Sequence, residues 1–246
     1  MTQAITLAPS LWETNYSQAF YIFYFERAWQ KAGPHFEKAI AINPRASLAH
    51  AYYSLFLTAA GCSADALVHA TQACELDPLA PVILCLAAAT LFTLGRYGEA
   101  ERAARQSLEL QPDYLFAHWQ RALALCGLGR DEEAIAPLER VVTLSRAPMF
   151  VGVLGFGYAR AGRGEDAGRL LRELEDRGTR GEYIPPTAAL AIFVGQRDIP
   201  GIRGAFAKIV AEGGPPLTVR VLCGEFLESF RTDPEIDRLH RELFGW

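Results

Sequence analysis

The 246-residue chain lacks an excess of charge of either sign: 24 Lys and Arg face 28 Asp and Glu, and the two are interleaved. Nucleic-acid-binding domains usually carry a basic stripe, so this balance speaks against such a surface. The densest charge run, Arg163 to Glu182, is itself mixed in sign. Cysteine is scarce. Cys62, Cys74, Cys85, Cys126 and Cys223 are an odd number, with no C-x-x-C pair and no His at zinc-ligand spacing, and they are expected as buried thiols in a reducing compartment. The first residues lack the basic segment and apolar stretch of a secretory signal, which makes the cytoplasm the expected location. Long apolar runs are missing as well. Ala46 to Ala64 is broken by His50, Ser54, Thr58 and Gly61, and Leu79 to Gly95 by Pro81, Thr90 and Thr93. A membrane span needs about twenty predominantly apolar residues, so no membrane association is expected.

Motifs that would carry chemistry are also lacking. The glycine-rich GFGYARAGRG, Gly155 to Gly164, has no preceding strand and no Gly-Lys-Ser or Gly-Lys-Thr ending, so its glycines are expected at helix contacts and turns rather than around a phosphate. There is no G-x-S-x-G elbow. His35, His50, His69, His118 and His240 lie in separate elements, without an H-x-x-x-H pair, and read as surface or packing residues. The acid pairs Glu132 with Glu133 and Glu165 with Asp166 fall in first turns of helices, where negative charge is worth about 0.3–1 kcal/mol. No catalysis, cofactor or metal is expected.

What the chain does have is a period. Gly61, Gly95, Gly129 and Gly162 stand 34, 34 and 33 residues apart, and Pro44, Pro78 and Pro112 stand 34 apart. Five residues after the glycines come Ala66, Ala100, Ala134 and Ala167; seven before them come Ser54, Ala88, Ala122 and Gly155. Small side chains at these places let two helices approach closely, while Leu57, Leu91, Leu125 and Tyr158 fill the seam. The three- and four-residue spacing on both sides of each glycine predicts two amphipathic helices per unit. The glycine should end the first helix in the left-handed conformation, and the proline should stop the second. Trp12 to Pro44 reads as an earlier unit in which Arg27 replaces the glycine and Phe20, Phe23, Ala32, Phe36 and Ala39 keep the packing pattern; Tyr183 to Glu212 is a degenerate later one with Arg197 at the glycine position. Pro34, and Pro137 six residues after the expected N-cap Asp131, should each kink a helix or delay its start. Pro200, close behind Asp198, should be harmless.

These ladders, with segments such as GRYGEAERAARQSLELQP and GRDEEAIAPLERVVTLSR, resemble the tetratricopeptide repeat (TPR), a 34-residue helix-turn-helix unit. The resemblance implies an all-α, right-handed α-solenoid of about five and a half repeats forming a single domain over 1–246. Residues 1–11 are the remnant of a truncated repeat, 12–182 hold five repeats, 183–212 a degenerate sixth and 213–246 a C-terminal cap. The cap is expected from Asp233 as N-cap, Pro234 at the first helical position, acidic Glu235 and Asp237, and a stripe of Ile236, Leu239 and Leu243. QAITLAP at the start repeats the phrase that closes later helices, as in KAIAINP. It is expected to leave an open edge, which a longer array or a homodimer would cover. The repeats together with YIPP and SFRTDPEIDRL also look like the C-terminal TPR regions of bacterial winged-helix regulators, class III adenylate cyclases and serine/threonine kinases, which would make the chain the sensory part of a signalling protein without its effector domain.

In this family the first helices line the concave surface and supply the partner-binding side chains. Helical period places Tyr21, Tyr24, Phe25, Leu55, Phe92, Phe116, Trp119, Leu123 and Phe156 on or beside that face. The stripe is aromatic and nearly uncharged. Family members that grip terminal carboxylates do so with Lys, Arg and Asn, whereas the matching places here hold Thr, Ala, Cys, Tyr and Phe. Two outcomes stand open: a groove for an apolar or amphipathic partner segment, anchored at Trp119 and Tyr24, or burial of the stripe against its own neighbours. The expected partner is another protein or peptide. Arg121, eight residues before its glycine where other units carry Tyr53, Ala87 and Leu154, should either snorkel along its helix or pair with an acid of the neighbouring repeat, with snorkelling the expectation.

Overall fold

The computed structural model describes residues 11–26, 28–214, 219 and 225–245. Six consecutive helix pairs follow the period. They are α1 (Trp12–Phe25) with α2 (Gly33–Ile42), α3 (Ser47–Ala59) with α4 (Ser63–Leu76), α5 (Pro81–Thr93) with α6 (Tyr97–Leu110), α7 (Leu115–Gly127) with α8 (Asp131–Leu144), α9 (Pro148–Arg160) with α10 (Gly164–Thr179), and α11 (Pro186–Gln196) with α12 (Ile199–Glu212). A one-turn helix, α13 (Glu225–Glu228), and α14 (Pro234–Phe244) follow. The opening phrase, Arg27 and Cys223 lie outside the described residues.

The second to fifth pairs are closed in the same way. Gly61, Gly95, Gly129 and Gly162 have φ between 71° and 77°, a left-handed conformation that a Cβ would strain. The amide of the next residue then bonds back to the carbonyl five positions earlier: Cys62 to Leu57 at 2.8 Å, Arg96 to Leu91 at 2.9 Å, Arg130 to Leu125 at 2.9 Å and Arg163 to Tyr158 at 2.8 Å. This is the Schellman closure. The sixth pair makes it with Arg197 (φ 58°), the one non-glycine with positive φ among the described residues, and Asp198 bonds back to Phe193 at 3.0 Å. A left-handed arginine costs about 1–2 kcal/mol, and the Arg197 guanidinium lies 5.1 Å from the Phe230 ring centroid. The arginine that follows the glycine then steadies the second helix by pairing with an acid three residues on: Arg96 with Glu99, Arg130 with Glu133 and Arg163 with Asp166.

The small-residue ladders are the seams. Ala66, Ala100, Ala134 and Ala167 are completely buried, as are Ser54, Ala88 and Ala122. The buried Ser54 hydroxyl bonds Thr90 Oγ1 at 2.8 Å, joining α3 to α5. Along the inner layer α5 packs between α3 and α7, and α9 packs on α11; each second helix also packs on the first helix that follows it. Helix α9 makes the closest approach. A Cβ on Gly152 would lie 2.3 Å from the Ala188 carbonyl oxygen, and one on Gly155 would lie 2.7 Å from Ile192 Cγ1. Within GFGYARAGRG, Gly155 and Gly157 are helix contacts, against Ile192 and Leu138, and Gly162 is the turn, as expected.

Several local expectations need correction. Asp131 is the first residue of α8 rather than its N-cap, a place taken by Arg130, because the Asp131 carboxylate turns away to pair with Arg160 at 2.7 Å. Pro137 does not delay α8, which runs unbroken from Asp131 with the buried proline inside it. Pro34 does accompany a late start: Trp29–Ala32 forms a 3-10 turn and α2 begins at Gly33. Arg121 pairs with Glu101 of the preceding repeat at 3.2 Å instead of snorkelling, since α6 presents that acid beside it. Of the cysteines, Cys85 and Cys126 are buried, Cys74 is half-buried and Cys62 is exposed at its turn. At the C-terminal end, Asp233 accepts from the amides of Glu235 and Ile236 at 3.2 Å each and caps α14, which packs on α12 through buried Ile236 and Leu239. Arg203 of α12 also bonds Asp233, with Nε to Oδ1 at 3.0 Å.

Gly152→Ala is expected to cost roughly 1–3 kcal/mol, the scale of overpacked cores. Gly164→Ala, where an added Cβ meets no atom within 4 Å, should leave the thermal midpoint in place. Melts followed by circular dichroism separate the two.

Candidate functional site

The first helices bring an aromatic wall together. Phe20 and Tyr24 from α1, Tyr52 and Leu55 from α3, Cys85, Leu86 and Ala89 from α5, Phe116, Trp119 and Gln120 from α7, Tyr114 just before α7 and Met149 from α9 enclose a cavity of about 400 Å³. This lies within the ~300–1,000 Å³ range of ligand pockets. The rings support one another. Tyr24 stacks on Phe20 at 4.4 Å, Tyr52 meets Phe20 edge-on at 5.1 Å, and Trp119 packs against Phe150 at 5.8 Å and Phe116 at 6.2 Å. No charged side chain among the described residues lines the cavity.

Its polar atoms are under-used. Trp119 Nε1 and Gln120 Oε1 are buried without a hydrogen-bond partner among the described residues, and each such atom costs about 1–3 kcal/mol. Burial pushes the titration of Tyr24, Tyr52 and Tyr114 upward, and the proximity of Tyr52 to Tyr24 and of Cys85 to Tyr52 and Tyr114 adds to it. The three phenols therefore stay protonated and able to donate. The Cys85 thiol is pushed up to about 12 by burial and stays neutral.

Of the nine residues placed on the inner face by helical period, Tyr24, Leu55, Phe116 and Trp119 line this cavity. Phe116 is 45 % exposed and Trp119 only 5 %. Tyr21 and Phe25 are exposed on α1, 5.5 Å apart, outside the cavity wall. Phe92, Leu123 and Phe156 are buried and have no free surface to offer. The reason for Phe92 and Phe156 lies at the far end of the chain. Phe226 of α13 sits on the inner layer with its ring 5.0 Å from Phe156 and 5.8 Å from Phe92, and Arg160 stands 4.8 Å above it. Arg160 is held by Asp131 and by the Cys126 carbonyl at 3.0 Å. Groove and self-burial thus both occur, in different sections of one face.

The period reading passed over Tyr52, Leu86 and Gln120, yet these stand 34 residues apart and share one register, as do Cys85 and Trp119. The signal was in the repeat. A polar Gln among apolar wall positions conceals it.

Among the described residues no group of three or more His, Cys, Asp or Glu could hold a metal ion. His50 and His118, 68 residues apart, make the same contact, Nε2 to the carbonyl of Pro44 (3.1 Å) and of Pro112 (2.8 Å), tying the proline turn to the next helix. The fold also joins His50 and His69, Nδ1 to Nδ1 at 2.8 Å, a hydrogen bond that needs one nitrogen unprotonated. Outside this face, Glu132, Glu133, Glu165 and Asp166 occupy first helical turns, as expected for dipole-complementing acids. No described helix is long and apolar enough to cross a membrane.

This architecture defines a helical-repeat scaffold of the TPR type. Residues 82–114 match the tetratricopeptide repeat family. Among solved structures, a TPR protein from Parabacteroides merdae is 15% identical with a TM-score of 0.60, over 87% of this chain and 77% of that one. PilF of Pseudomonas aeruginosa is 15% identical with a TM-score of 0.56, over 87% and 97%. MamA (residues 41 to the end) of Desulfovibrio magneticus RS-1 is 14% identical with a TM-score of 0.55, over 70% and 96%. At such identities the likeness is one of fold. No curated protein gives a significant match to the sequence.

Two outcomes follow from these contacts. Phe226→Ala is expected to cost roughly 2–3 kcal/mol, below the ~3–5 of a fully enclosed ring, and to speed tryptic cleavage after Arg231 while helices α3 to α8 stay protected. Burial lowers the titration of both His50 and His69, with the His50 charge adding to it at His69. The unfolded state then binds more protons, so the pair's contribution is complete above about pH 6.5 and is lost as the pH falls through the lowered folded values. Thermal midpoints should drop between pH 7.5 and 5.5, and by less in His69→Gln.

Proposed function

We propose that the chain is a non-catalytic protein-interaction module that holds a peptide or a partner helix on the apolar, aromatic section of its inner face. The observation that carries this reading is the cavity between α1, α3, α5 and α7, an open aromatic wall without a charged side chain among the described residues, whereas Phe92, Leu123 and Phe156 of the same stripe are buried. Open apolar surface of this kind is retained where a partner covers it, and rigid first helices hold their anchors without a change of shape. Among the described residues the wall presents no cation for a terminal carboxylate and no acid for a basic peptide, so an apolar or amphipathic segment is the partner chemistry it suits.

The exposure of each wall residue decides how this is tested. Trp119→Ala would empty a nearly buried site at ~3–5 kcal/mol and confuse unfolding with lost binding. Phe116 is 45 % exposed and can change without emptying the core. Phe116→Glu should abolish capture of partners from a native lysate while the thermal midpoint moves by less than about 1 kcal/mol equivalent. Equal capture by the variant and the parent chain would place the interaction elsewhere.

A further inference from the structure

The two sections of the inner face differ in one respect: one is filled and the other is open. In the filled section the chain shows what kind of group this surface accepts, because an aromatic ring, Phe226, is inserted against Phe92 and Phe156. The open section continues the same layer of first helices and is richer in rings, with Phe20, Tyr24, Tyr52, Tyr114, Phe116 and Trp119 on its wall. Edge-to-face and offset packing against such rings favours an aromatic guest over an aliphatic one. A charged guest would be desolvated without a counter-ion from the described residues, none of which lines the cavity with a charged side chain.

The wall also distinguishes among aromatic guests. Trp119 Nε1 and Gln120 Oε1 have no partner among the described residues, and the hydroxyls of Tyr24, Tyr52 and Tyr114 make no hydrogen bond to a described residue. A hydrocarbon ring would leave these groups unpaired in a site from which it expels water. A ring bearing its own O–H or N–H satisfies part of them, and the backbone carbonyls flanking it accept from the phenols. We infer that the cavity recognises a tyrosine or tryptophan side chain of a partner polypeptide, with the phenols of Tyr24, Tyr52 and Tyr114 and the amide of Gln120 setting the preference over phenylalanine or leucine. This assignment rests on the reading of the inner face as the partner site and names the anchor that site selects.

The test uses the full chain and a displayed library of random 12-residue peptides, followed by fluorescence anisotropy on the enriched sequences. The enriched peptides are expected to share one Tyr or Trp. Exchanging that residue for Phe or Leu should weaken binding at least about tenfold, since a site built to hydrogen-bond a polar group rejects the analogue lacking it. In the Tyr52→Phe and Gln120→Leu variants, checked for an unchanged thermal midpoint, this discrimination should shrink while the Phe peptide binds as before. Enriched peptides anchored by an aliphatic or charged residue, or equal affinity for the Tyr and Phe forms, would overturn the anchor and leave partner binding on the inner face standing. If every enriched peptide binds Phe116→Glu as well as the parent chain, the anchor and the inner-face reading both fall.

Discussion

The structure depends on a backbone reversal that needs a left-handed residue about every 34 positions. At each one the chain leaves the first helix, and the next amide bonds back to a carbonyl five residues earlier, so the helix cannot run on. The direction of the second helix is then set, and the alanine five residues after the glycine meets its neighbour at zero exposure. A period imposed by sterics at one residue becomes a period in packing. Arg197 shows how strong the constraint is: the sixth pair keeps the geometry with an arginine, although left-handed backbone disfavours any side chain.

Because the pairs repeat, residues in one register line up on one surface. This is why Tyr52, Leu86 and Gln120, or Cys85 and Trp119, converge on a common cavity although each belongs to a different unit. The same logic would produce a continuous groove along the whole inner layer. It does not, because the chain after α12 returns and lays Phe226 on the layer between α5 and α9, under the guanidinium of Arg160. The inner face is therefore divided into a section occupied by the chain itself and a section left open. The open section combines aromatic surface with unpaired donors and acceptors, a combination that is costly in an unliganded fold and useful for selecting a guest.

Most of the architecture was legible in the residues. The glycine and alanine ladders marked turns and seams at the right places, and the Asp233-Pro234 start of the last helix could be read directly because capping is local chemistry. Contacts between repeats were less legible. Arg121 reaches Glu101, Asp131 leaves its capping role for Arg160, and His50 meets His69. In each case the partner lies 19 to 29 residues away in sequence, where helical period within one element has nothing to say.

The sequence by itself determined the repeat and most helix ends, since these follow from backbone sterics and amphipathic spacing that act within a few residues. Only the tertiary structure decided which part of the inner face is exposed. That outcome depends on where a distant segment comes to rest: Phe226 buries Phe92 and Phe156, while Phe116 and Tyr24, in the same stripe, keep an open wall. Burial is a property of the assembled neighbours, and no local pattern in α5 or α9 announces which side chain will arrive to cover it.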